Sequence, residues 1–300
     1  MILSWRDNFK LAGSDFHYGV KFMLWDSQSW ITKYNNATGK LSDYYEGYRI
    51  GDIWGYNIEG LFTSYDEIAN HADQDYIKIS DSKIWQPGDL KFADLNGDGK
   101  IDKGAQTLSD HGDLVIVGNE EERYHYGFNL NVGWKGIGIS AFFQGVGKRD
   151  WYPGQETGFF WGKYNRPYGY SLKMHENRWT EENPNPNAYW PRLVGYSSEN
   201  GGRPMGTPNN RYMQDASYLR LKALTVDYSL PQAWVSKLGL TGLKIYFTGE
   251  NLFTFSNICE NFDPEVIKGG DVDLKDRKGE EQGYSYPMLK TYTVGLNVSF

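Results

Sequence analysis

The sequence predicts an all-β fold, an antiparallel transmembrane β-barrel segment with long loops on one side, and three observations carry that expectation. Several stretches alternate apolar and polar residues with the two-residue period of a strand whose faces differ. These stretches run well beyond the usual strand of about 5–6 residues. The connections between them alternate between short and long, which places the long ones together on one side. Composition agrees: aromatic residues make up 16% of the 300, and 35 residues are Gly, a mixture that favours strands and turns over helices. The mean hydropathy of -0.64 is low, and no stretch approaches the ~20 apolar residues of a membrane helix. A membrane barrel stays open because only alternate residues of each strand face lipid.

The elements follow in chain order. A partial strand is expected near 2–7. Phe16, Tyr18, Val20, Phe22 and Leu24 then alternate with His17, Gly19, Lys21 and Met23. A third strand is expected over 49–62. Tyr124, Tyr126, Phe128, Leu130, Val132 and Trp134 alternate with His125, Gly127, Asn129, Asn131 and Gly133, and Lys135–Gly136 reads as a tight turn into a return strand from Ile137. Further strands are expected at 215–229, 241–256 and 289–300, eight in all. Short helices are expected at 64–72 and 231–238, with Pro231 suited to a first turn. Connections 27–45, 135–136 and 230–240 are short to moderate; 63–121, 152–214 and 257–288 are long. One face of each strand is bulky and apolar, the other Gly, Asn, Ser, Lys and His. Trp134, Trp151, Tyr152, Tyr228, Trp234 and Tyr292 lie near strand ends, as an interfacial girdle requires. The terminal strand closes on Phe300, an aromatic end of the kind that barrel-assembly machinery reads.

Charge excludes other classes. A net charge of -7, with acidic residues gathered in 64–121 and 257–288, argues against nucleic acid as a partner. The first residues, MILSWRDNFK, show no basic segment followed by an apolar one, so an exported chain would be a mature form or a fragment. One cysteine, Cys259, rules out an internal disulfide framework. The five histidines are scattered, with no HExxH and no GxSxG. Carboxylate pairs such as Glu181–Glu182 sit in polar loop sequence rather than facing each other across a cleft. No catalytic constellation, organic cofactor or phosphate loop emerges, and the chain is not expected to be an enzyme.

Two candidate sites remain. Asp94, Asn96, Asp98, Lys100 (through its carbonyl) and Asp102 present oxygens on alternate residues, with Gly99 at the sharp turn, in the manner of a calcium loop. Ala105 stands where the bidentate Glu of a helix–loop–helix calcium site would be, and no amphipathic helices flank the loop. A structural calcium ion and an Asx-rich turn that needs no ion weigh equally here. In 152–214, Trp161, Tyr164 and Trp190 offer flat faces suited to stacking on sugar rings. Packing of the loop onto itself or onto a capping partner protein is the stronger reading of those rings.

The motifs also resemble a known family. SWRDN near the start, EGYRIGDIWGY at 46–56, KFADLNGDGKID at 91–102, YHYGFNLNVGWKGIGISAFFQGVGKRD at 124–150, YLRLKALTVDYSLP at 218–231, LKIYFTGENLFTFS at 243–256 and YPMLKTYTVGLNVSF at 286–300 occur in the order found in SusC/RagA-like TonB-dependent outer-membrane transporters. The resemblance spans residues 1–300 and implies the C-terminal part of a barrel of about 22 strands, with the plug and early strands absent. It further implies import of glycan or peptide fragments through the outer membrane, a SusD-like surface lipoprotein as partner, and TonB coupling through the absent N-terminal part. A soluble, calcium-stabilised carbohydrate-binding β-sandwich is the alternative; it leaves the strand lengths and one-sided loops without a cause. A secreted glycan hydrolase lacks a visible acid/base pair.

Overall fold

The computed structural model describes residues 2–77, 84–155, 157–198, 202–267 and 285–300. In chain order the strands are β1 (Ile2–Lys10), β2 (His17–Trp25), β3 (Asp52–Gly55), β4 (Ile58–Leu61), β5 (Leu90–Phe92), β6 (Val115–Asn119), β7 (Arg123–Trp134), β8 (Ile137–Lys148), β9 (Asp150–Trp151), β10 (Gln214–Asp215), β11 (Tyr218–Ser229), β12 (Gly242–Ser256) and β13 (Thr291–Ser299). Three short α-helices interrupt them, α1 (Tyr65–Ala69), α2 (Gly158–Trp161) and α3 (Gln232–Val235).

One seven-stranded sheet dominates, in the order β1-β2-β7-β8-β11-β12-β13, and every neighbouring pair is antiparallel. Register makes its faces continuous. Val132 lies opposite Tyr18 and Ile139, Ile139 opposite Val226, Val226 opposite Phe247 and Phe247 opposite Val294. The next rank of the other face runs Asn131, Ser140, Thr225, Thr248, Thr293. Partners across an antiparallel ladder point to the same side, so the wall is apolar on one face and polar on the other. Two hydroxyl contacts knit the polar face: Ser140 Oγ donates to Asn131 Oδ1 at 2.7 Å, and the Thr225 and Thr248 hydroxyls meet at 2.9 Å. A β-bulge at Lys222, between Leu221 and Ala223, resets the alternation so that both halves of β11 keep their faces.

Short turns close one end of the sheet: 11–16, Lys135–Gly136 and 230–241. At Lys135 and Gly136 φ is +47° and +84°, the pair of positive values that a two-residue turn between right-twisted strands requires. In 230–241, α3 follows Pro231 and a 3₁₀ turn ends at Gly239 in the left-handed region, as the sequence led us to expect.

Two expectations are corrected here. Among the described residues the sheet has seven strands rather than eight, because 49–62 is not a wall strand. Gly51 turns the chain at φ +84°, and at Gly55 a Cβ would lie 2.1 Å from the Pro208 carbonyl oxygen. The segment therefore breaks into β3 and β4, which pair with β6 and β5 inside the loops. Likewise 27–45 is no short turn; it opens a connection running from 26 to 122, and 11–16 is the short turn at the other end. The one-sidedness of the long connections survives both changes.

Among the buried core cluster residues, Tyr56, Phe62, Leu90, Phe92, Trp151, Phe160, Tyr212 and Phe262 all belong to the long connections. Among the described residues no core lies between two sheets. The chain has an open wall and, at one rim, a packed loop assembly.

Candidate functional site

The loop assembly is built at the rim where β2, β7, β8, β11 and β12 end. Arg123 begins β7 and holds Asp26 in a two-pronged pair, both contacts 2.6 Å, which fixes where the first long connection leaves the wall. The Arg123 guanidinium keeps the Asp26 carboxyl at about 2, below the usual carboxylate range. Helix α1 starts where Ser64 caps the Glu67 amide while Glu67 accepts from the Thr63 amide at 2.7 Å, a reciprocal cap. Asp89, fully buried, receives Arg192 through Nε and Nη2 at 3.0 and 2.9 Å and so binds the first long connection to the second. Burial raises the Asp89 carboxyl above its ordinary value even though Arg192 pulls it down.

The expected ligand-stacking rings lie inside this assembly. Trp161, Tyr164 and Trp190 are each 0% exposed. Tyr164 stacks on Trp190 with centroids 5.1 Å apart, and Trp161 meets Trp190 edge-on at 6.0 Å. Trp161 Nε1 donates to the Gly154 carbonyl at 2.8 Å, and the Tyr164 hydroxyl to Pro191 at 2.7 Å. Their faces meet each other, so in this arrangement the rings are core and not contact surface. Burial pushes the Tyr164 and Tyr212 hydroxyls well up. His175 completes the cluster, edge-on to Trp190 at 4.6 Å. Its Nδ1 accepts from the Leu172 amide at 3.1 Å and its Nε2 lies 2.8 Å from the Phe160 carbonyl, so the ring is neutral with the proton on Nε2. Burial lowers the His175 imidazole below its ordinary value.

The girdle residues divide the same way. Trp134, Tyr228, Trp234 and Tyr292 are exposed, whereas Trp151 and Tyr152 are buried among the loops, where Tyr152 donates to the Met205 carbonyl at 2.8 Å. Sequence position near a strand end could not separate these two fates. Exposed rings on the loops are others: Trp30, Tyr34 and Tyr44 on the first long connection, and Tyr168 and Tyr170 on the second. Tyr168 and Tyr170 border a shallow cleft of about 300 Å³ with Asn165, Arg166 and three glycines.

The 94–102 segment forms the expected turn, with Gly97 and Gly99 at φ +75° and +81°. Asp94 accepts from the Gly97 and Gly99 amides at 2.7 and 2.9 Å, Asn96 from Asp98, and Asp98 from Lys100. Asp102 accepts from the Gly104 amide. Asp113, which sequence reading passed over, is 1% exposed and caps the turn from beneath by accepting from Leu95 and Asp102. Among the described residues no three His, Cys, Asp or Glu side chains converge as a metal centre.

A wall with one lipid-compatible face, short turns at one rim and packed loops at the other is a segment of a transmembrane β-barrel, carrying its mouth. Comparison with known proteins gives the kind. No family model matches the chain. TonB-dependent receptor P26 of Formosa agariphila is 32% identical over 247 residues, covering 80% of this chain and 22% of the relative. TonB-dependent receptor P3 of the same organism is 28% identical over 257 residues, covering 85% and 22%. The RagAB peptide transporter structure shares the fold at TM-score 0.67 and 21% identity, covering 100% of this chain and 29% of that one. The RagAB peptide importer in its 'open-open' state matches at TM-score 0.63 and 19% identity, covering 100% and 28%. Over most of its length the chain is thus similar to a portion of TonB-dependent receptors and has the fold of the RagAB transporter structures, and its place is the outer membrane. It spans about a fifth of the length of the curated relatives named here. These relatives are receptors and not enzymes, in keeping with the sequence reading.

Proposed function

We propose that this chain supplies part of the wall and outer mouth of a TonB-dependent importer that carries glycan or peptide fragments across the outer membrane. The observation that carries the proposal is one-sidedness: every long connection of the wall leaves from the same rim, where the loops pack into a shared core. Such a mouth is where a cargo is met and where a surface lipoprotein of the SusD kind would close the passage. Energy coupling to TonB would act through parts of the protein beyond this chain. The names of the RagAB structures, a peptide importer in 'open-open' and 'closed-closed' states, support the importer reading. The soluble sandwich is not favoured, because among the described residues the apolar face of the sheet meets no partner sheet.

The test is to tag the full-length protein at its native locus, extract it in detergent, and compare growth on glycan and peptide panels with and without TonB. Co-extraction of one surface lipoprotein and a TonB-dependent growth defect on one class of fragment are expected. Purification alone, with growth unaffected by deletion, would sink the proposal.

A calcium ion at the 94–102 turn belongs to the same reading as a structural element. Its support is that each carboxylate oxygen accepting one amide bond keeps another lone pair. Against it stand the amide bonds already made. If calcium binds, a chelator lowers the melting temperature of the full-length protein, and Asp94→Asn with Asp98→Asn abolishes the chelator effect. An unchanged melting temperature leaves the turn standing on its hydrogen bonds alone.

A further inference from the structure

Along the polar face of the wall, exposure falls toward the mouth. Asn131 and Ser140, in the half of the wall nearer the short turn, are exposed. Val146 is 2% exposed, Tyr218 6% and Arg220 2%. These last three belong to the same face, since Tyr218 lies opposite Val146, and Arg220 opposite Gln144 and Thr254. Something covers the outer end of the inner wall.

The contacts of Arg220 show what lies over it. Its Nε donates to Thr254 Oγ1 at 2.9 Å, its Nη1 to Glu265 Oε2 at 2.7 Å and its Nη2 to Asp263 Oδ1 at 2.5 Å. Lys222 reaches the other oxygen of Glu265 at 2.5 Å. Arg149, just past β8 and 7% exposed, donates to the Ile267 carbonyl at 2.6 Å and the Pro264 carbonyl at 3.4 Å. It also pairs with Glu122 at 3.0 Å. Three cations therefore meet three carboxylates, and the cluster is neutral. Meanwhile Ile258, Phe262 and Ile267 are buried in the loop core, with Phe262 4.9 Å from Trp151. Residues 257–267 are thus tied on one side to the inner wall by charge and on the other to the loop core by apolar contact.

We propose that residues 257–267 form an inward-folded strap that narrows the mouth and sets the size of cargo admitted, with Arg149 and Arg220 as its positioning residues. The proposal rests on the importer reading for its cargo, but not for its geometry. A desolvated charge cluster is stable only while each member keeps its partner. Neutralising the strap's carboxylates leaves Arg220 buried without a counter-charge, and the strap then lifts from the wall.

The experiment uses the full-length protein in its native outer membrane, with Cys259→Ser, every cysteine outside this chain likewise replaced, and Val146→Cys, on the covered face beside Arg220, as reporter. A membrane-impermeant maleimide is applied to whole cells, and labelling is referred to the same protein unfolded in SDS. With the strap intact the reporter is protected. With Asp263→Asn and Glu265→Gln together its labelling rises at least about tenfold, and cargo longer than the parent admits enters the cell. Glu265→Gln alone serves where the double variant fails to assemble, assembly being read from the heat-modifiable mobility of the barrel, and a smaller rise is expected. A reporter that labels in the parent as fast as in the unfolded protein, or stays protected in an assembled neutralised variant, overturns the strap. Correct protection with no import in any variant would overturn the importer reading and leave the strap standing.

Discussion

Single residues in the loop assembly carry roles that can be tested one at a time. Gly88 is buried at φ +88°, and a Cβ there would lie 2.3 Å from the Trp179 ring. Gly88→Ala combines left-handed strain with overpacking, and we expect a loss of about 2–4 kcal/mol of loop-core stability. Unfolding followed by fluorescence of the buried Trp161 and Trp190 would measure it; an unchanged midpoint would show that the ring yields freely. His175 gives a pH dependence. Its folded-state value is depressed, so between that value and the ordinary 6.5 the unfolded chain binds more protons than the folded one. Stability from this group is fully present above pH 6.5 and is lost as pH falls below it. Thermal scans of the full-length protein should show a midpoint that drops below pH 6.5, and His175→Gln should flatten that drop. None of this was legible in the sequence: an isolated His among loop residues gives no period, and its two ring contacts come from the Leu172 amide and the Phe160 carbonyl, backbone groups that exist only once the loop has closed.

At the scale of the element, the strand faces decide what is tolerated. Leu130 lies on the apolar face, opposite Val20 and Ala141, whereas Asn131 and Ser140 lie on the polar one. A cation placed near mid-strand on a lipid face costs about 2–4 kcal/mol. Leu130→Arg should therefore lower the yield of heat-modifiable barrel, while Ser140→Arg should leave it nearly unchanged. Equal effects would mean that the faces are assigned wrongly. The wall strands were readable because their signal is local: alternation, Lys135–Gly136 at the turn, Pro231 before α3. The 49–62 segment also alternates in places and misled for a physical reason. Its fate is decided by Gly51, by Gly55 against Pro208 and by pairing with β5 and β6, partners far off in sequence.

At the scale of the whole molecule, the sheet is open at β1 and β13 among the described residues, and two unpaired edges cannot stand in lipid. The wall needs further strands to close, and the chain spans only 22% of the length of each relative. Fold and kind were legible early because patterning and motif order extend over the whole chain. The candidate contacts were less so: Trp161, Tyr164 and Trp190 could stack on a ligand or pack, packing was the stronger reading, and only three-dimensional structure shows which ring meets which. The same limit hid Asp113, Arg149 and Arg220, charged residues whose importance lies in what the fold brings to them.

The central claim is that this chain is outer-membrane wall with its loops outside the cell and its short turns within. The test is thiol labelling of the full-length protein on intact cells, with Cys259→Ser and every cysteine outside this chain replaced as background. Tyr168→Cys, on an exposed loop, and Lys237→Cys, in the turn after α3, report the two rims. We expect an impermeant reagent to label Tyr168→Cys on whole cells and to reach Lys237→Cys only after the outer membrane is permeabilised. Equal labelling of both positions on intact cells, or of neither, would contradict it.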